Sequence, residues 1–100
     1  MNEMLQTICA RMIAEAKPSA ILLYGQKPTS DGKTLREASF CLIVEREAKE
    51  TERQLYRLLD LDFAYNLLVY TTEDWQQLCA DPTSYASSIR QKGVLLYGKA

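Results

Sequence analysis

Three short apolar runs set the terms on which this chain can fold. They are Ile21-Leu22-Leu23-Tyr24 within residues 20–24, Phe40-Cys41-Leu42-Ile43-Val44 within 38–44, and Leu67-Leu68-Val69-Tyr70 within 64–70. Each is short for a buried helix and the right length for a strand covered on both faces. Amphipathic stretches lie around them. Leu5, Ile8, Cys9, Met12, Ile13 and Ala16 recur at three- and four-residue steps, which predicts a first helix with one buried stripe. Asn2 is placed to cap that helix and Pro18 to end it. The alternation predicts an α/β (α+β) fold, a small mixed sheet with flanking helices packed mainly on one side.

The rest of the chain fills in that frame. Residues 25–37 collect Gly, Pro, Thr, Ser, Asp and Lys and read as a loop. Residues 47–59 are dense in charge but carry Leu55, Tyr56, Leu58 and Leu59 towards their end, as in a solvated helix with one apolar edge. Thr71 with Asp74 forms an approximate capping box for the next helix, which buries Trp75 and Leu78. Asp81-Pro82 predicts a helical restart through Tyr85 and Ile89. Gly93 predicts a left-handed stop, and residues 94–97 a closing edge strand.

At 100 residues the chain has room for one core, and residues 1–100 read as a single domain. The net charge of −1 supplies no field towards nucleic acid or anionic membrane, and no apolar run approaches a bilayer span. The expectation is no DNA and no membrane. Met1-Asn2-Glu3-Met4 lacks the basic and apolar regions of a secretory signal. Cys9, Cys41 and Cys79 are odd in number and far apart, which fits a reducing cytoplasm better than a disulfide framework. There is no histidine, so Ser-His and Cys-His nucleophilic pairs are excluded within the chain, and no Cys-x-x-Cys pair offers a zinc site.

The order of these segments, with Tyr24-Gly25, Ser39-Phe40-Cys41, Asn66 and the tail Val69-Tyr70-Thr71-Thr72-Glu73-Asp74-Trp75, resembles the minimal nucleotidyltransferases of the DNA polymerase beta-like fold. The resemblance runs over residues 20–97. In that family a first strand ends in Gly-Ser, a second presents Asp-x-Asp and a third adds another Asp. The resemblance puts Gly25 and Gln26 at the Gly-Ser positions, Ser39 and Cys41 at the paired Asp positions, and Asn66 at the third. These are the degenerate active-site positions: the scaffold is kept and the carboxylates are gone.

Nucleotidyl transfer uses two divalent ions bridged by carboxylates. Ser39 and Cys41 alternate with Phe40 and so share a strand face, but a hydroxyl and a thiol are not hard anionic ligands. Asn66 keeps the shape of Asp without its charge. Glu45 lies about 13 Å along the strand from Cys41, beyond the reach of one side chain. Asp31 and Glu37 fall in the expected loop. Lys27, Lys33 and Arg36 are candidates for phosphate binding, with ordinary surface charge as the simpler account of them. Cys41 has no identifiable base.

The expected function is therefore a catalytically silent nucleotidyltransferase-like domain, a binding or regulatory subunit with no catalytic residue, metal or cofactor. The resemblance implies a HEPN-type helical protein partner, as in toxin–antitoxin pairs, or a homodimer. The alternatives are a divergent, Mg²⁺-dependent nucleotidyltransferase acting from NTP on protein or RNA, and a sensing module with weak nucleotide binding.

Overall fold

The computed structural model describes residues 3–61 and 63–100, and the expected cap at Asn2 lies outside them. Helix α1 (Glu3–Ala16) buries Leu5, Ile8, Cys9 and Met12, the stripe its periodicity predicts. Strand β1 (Ala20–Pro28) pairs antiparallel with β2 (Leu35–Val44). Helix α2 (Ala48–Leu58) then carries the chain across to β3 (Ala64–Thr71), which lies parallel to β2. Helices α3 (Thr72–Cys79) and α4 (Tyr85–Lys92) lead to β4 (Val94–Gly98), antiparallel to β1. The sheet order is β3-β2-β1-β4, a four-stranded mixed sheet. Among the described residues no helix is long and apolar enough to cross a membrane.

The sheet is covered on both faces, which corrects the one-sided packing expected from sequence. On one face Ile21, Leu23, Phe40, Leu42 and Leu67 meet α1 through Leu5, Ile8 and Met12, and α2 through Leu55. On the other, Ala20, Leu22, Cys41 and Ile43 meet Trp75 of α3 and Ala86 and Ile89 of α4. Phe40 and Cys41, both 0% exposed, therefore belong to different cores although they are neighbours in sequence.

The predicted loop at 25–37 is instead a β-hairpin. Gly25, Gln26 and Lys27 continue β1 and pair with Ser39, Ala38 and Glu37. Its turn is closed by hydrogen bonds from the Thr29 amide to the Thr34 carbonyl (3.0 Å) and from the Gly32 amide to the Thr29 carbonyl (2.9 Å). Two register shifts, at Tyr24 in β1 and at Arg36 in β2, bend the ribbon. Polar residues suit these strands because Gln26, Lys27 and Pro28 are exposed.

Helix starts and stops carry smaller corrections. Thr71 caps α3 as expected, its hydroxyl accepting from the Asp74 amide at 3.1 Å. Trp75 is buried, but Leu78 is 40% exposed and Cys79 turns inward instead. That follows from helical phase, since residue 79 stands one turn beyond 75. Asp81-Pro82 forms a turn, with the Asp81 carboxylate accepting from the Thr83 amide at 2.9 Å, and Ser84 caps α4. Gly93 is extended (φ −73°), not left-handed, and donates to the Ile89 carbonyl at 2.7 Å. A Cβ there would lie 2.6 Å from the Ile89 oxygen, so close backbone approach demands the glycine.

The two sheet edges differ. On β3 the Tyr56 hydroxyl of α2 accepts from the Leu67 amide at 2.9 Å and faces the Leu67 carbonyl at 3.5 Å. Tyr56 stacks on Tyr65, ring centroids 5.6 Å apart, and Tyr65 in turn donates to the Leu59 carbonyl at 3.0 Å. The β4 edge carries Val94, Leu95 and Tyr97, all exposed, with a register shift at Leu96.

Candidate functional site

Strand alternation brings Ser39, Cys41 and Asn66 to the sheet face that α3 and α4 cover, as their spacing predicts. Ser39 and Asn66 are direct partners in the parallel ladder, and the Asn66 amide nitrogen donates to the Ser39 hydroxyl at 3.3 Å. Gly25 pairs with Ser39 from the other side, where a Cβ would meet Ser39 at an ordinary 3.5 Å. Cys41, one pair further along opposite Leu68, is sealed beneath Trp75, Ala86 and Ile89. The three positions thus form two environments: an accessible neutral pair and a buried thiol.

The other expected residues do not join them. Gln26 pairs with Ala38, whose side chain belongs to the core under α1 and α2, so Gln26 lies on the opposite sheet face from Ser39. Lys27 is held by Glu37, its strand partner, at 3.4 Å. Lys33 sits in the hairpin turn and, with Gln26, Pro28, Gly32, Thr34 and Leu35, lines an open hollow of about 320 Å³. Arg36 is exposed at the register shift in β2. Asp31 serves the turn by accepting from the Lys33 amide at 3.0 Å and from the Thr29 hydroxyl, contacts that hold its carboxyl below the ordinary value. Glu45 is exposed beyond the end of β2. Among the described residues no group of three or more His, Cys, Asp or Glu side chains could hold a metal ion.

Tyr24 stands at this site although its sequence context did not single it out. It is the extra residue of the register shift opposite Ser39, and its phenol is pushed up to about 12, first by burial and then by Tyr85 and Cys41; a hydrogen bond from Ser39 acts the other way. Its ring meets Tyr85 edge to face, centroids 6.1 Å apart at 87°. The available signal was its place just before Gly25.

The Cys41 thiol is also pushed up to about 12, by burial and then by Cys79. Folding therefore favours the protonated forms of both groups, and this stabilisation is fully present below about pH 9. It is lost as pH rises towards 12, by about 1.4 kcal/mol per pH unit for a fully shifted group, with less from the partly exposed Tyr24. Melting temperature is expected to fall between about pH 9 and 11, and Cys41→Ala to flatten the fall. A melting temperature that holds level across that range would contradict the burial of Cys41.

The chain matches no protein-family profile, no curated protein and no solved structure.

Proposed function

We propose that this chain is a catalytically silent nucleotidyltransferase-like domain that works by binding, as a regulatory subunit beside a HEPN-type helical partner or as a homodimer. The observation that carries the reading is the Ser39–Asn66 hydrogen bond at 3.3 Å. Two positions that the resemblance assigns to metal-binding carboxylates are neighbours on adjacent strands, neutral, and bonded to one another. Like charges on directly opposed strand positions are destabilising, so a neutral pair is the stable arrangement without a cation. Cys9, Cys41 and Cys79 are free thiols, in keeping with a reducing compartment such as the cytoplasm.

The test combines metal, transfer and partner. The natural chain is expected to melt at the same temperature with and without Mn²⁺ and ATP, and to transfer no label from ATP to protein or RNA. The double variant Ser39→Asp with Asn66→Asp is expected to melt lower in chelator and to regain part of the loss with Mn²⁺. An ion at 100 times its dissociation constant would return about 2.7 kcal/mol. A natural chain that Mn²⁺ stabilises and that transfers label would replace this reading with the divergent enzyme. A chain that stays monomeric over a wide concentration range and co-purifies with nothing would remove the subunit role.

A further inference from the structure

A second site lies between β1 and α4, and it does not depend on the nucleotidyltransferase reading. Tyr85, Ser88 and Lys92 follow one another at three- and four-residue steps, so one face of α4 carries a phenol, a hydroxyl and an ammonium. Tyr24 stands across from that face. Together with Ile89 these residues line a cleft of about 80 Å³. One water needs roughly 10–15 Å³ of such space, so the cleft has room for one small polyatomic ion.

The lining is one-sided in its chemistry. Its polar side chains are two phenols, a hydroxyl and an ammonium, and no carboxylate is among them. Among the described residues the ion pairs are Lys27–Glu37 and Arg53–Glu50, so no carboxylate among them pairs with Lys92. The Tyr85 phenol, 60% exposed, and the Ser88 hydroxyl are likewise without a hydrogen-bond partner among those residues. Behind them Asn66 donates to Ser39, and Ser39 lies beside the Tyr24 hydroxyl.

We propose that this cleft is an oxyanion site. It takes one phosphate or sulfate group, held by the Lys92 ammonium and by the hydroxyls of Tyr85, Ser88 and Tyr24. Charged acceptors make the stronger hydrogen bonds with such donors, and the exposed side of Tyr85 leaves room for an ester substituent to reach solvent. The shared chemistry is a tetrahedral oxyanion, either free or as the end of a monoester.

Titration of the ¹⁵N-labelled chain, at constant ionic strength set with sodium chloride, tests this. One arm uses inorganic phosphate and sulfate and another phenyl phosphate. Saturable amide shifts at Tyr85, Ser88 and Lys92 are expected. Saturation by the inorganic ions assigns a free anion, and saturation by phenyl phosphate alone assigns a monoester. Lys92→Ala is expected to weaken binding about tenfold, as loss of a charge-assisted bond does. Lys92→Arg should stay near the natural affinity, Tyr24→Phe should lose affinity without loss of fold, and Lys27→Ala and Lys33→Ala should change nothing. No saturation in either arm, shifts centred on the hairpin turn, or undiminished binding by Lys92→Ala would each overturn the site.

Discussion

Cys41→Asp is expected to destabilise the domain by about 3 kcal/mol or more, while Ser39→Asp and Asn66→Asp each stay within about 1 kcal/mol. All three restore a carboxylate that the resemblance implies, so the contrast isolates position from chemistry. Cys41 is 0% exposed and packed among Ala20, Leu22, Ile43 and Trp75, none of which can donate a side-chain hydrogen bond to a carboxylate there except the indole nitrogen of Trp75. A carboxyl in that place either stays protonated or opens the core. Ser39 and Asn66 reach solvent, and either residue remains able to donate to a carboxylate at the other position. About 3 kcal/mol corresponds to roughly 12–24 °C in melting temperature for a domain of this size. Because the buried Asp favours its neutral form, the Cys41→Asp loss should deepen as pH rises from 4 to 7. Cys41→Ala controls for lost volume, and equal losses for all three Asp variants would refute the two-environment description.

Trp75→Ala is the second large effect. The indole is 4% exposed, meets the Tyr70 ring at 5.6 Å and belongs with Cys41 to the core under α3 and α4. Truncating a buried aromatic costs about 3–5 kcal/mol, much of it through the cavity left behind. That cavity would lie over Cys41, so a second readout is available. In the natural chain a thiol reagent should modify half-buried Cys79 first and reach Cys41 only through opening of the fold. In Trp75→Ala, Cys41 modification is expected to accelerate at least tenfold, in line with a loss of more than about 1.4 kcal/mol. Modification of Cys41 at the Cys79 rate in the natural chain would show that the thiol is not sealed.

What could be read from sequence was what local chemistry decides. The strands around Leu23, Leu42 and Leu68, the buried stripe of α1 and the Thr71 cap all follow from residues a few positions apart. The Ser39–Asn66 meeting was also legible, because alternation fixes the face once two strands are aligned. The hairpin at 25–37 was hidden because Gln26, Lys27 and Pro28 are exposed and Leu35 is its one buried apolar residue, so no periodicity marks the ladder. Which side of the sheet α3 and α4 would take was not local either. Neither was the sealing of Cys41, which depends on Trp75 arriving from 34 positions later (75 minus 41). Tyr24 read only as the last residue of the first apolar run; its neighbours Ser39 and Tyr85 come from distant parts of the chain.

Tyr56 gives the sheet a chemical valence. With its hydroxyl seated on the Leu67 amide at 2.9 Å, β3 is terminated at its middle, as a capping reagent terminates a growing polymer. An incoming strand must first evict that phenol, whereas among the described residues no side-chain hydroxyl is seated on the β4 backbone. A monomer with two reactive ends propagates, and a monomer with one dimerises and stops. Strand addition to this sheet should therefore end at a single event, giving a discrete pair and not a fibre. Tyr56→Phe, which keeps the ring and removes the stopper, is the change that would give the second end back.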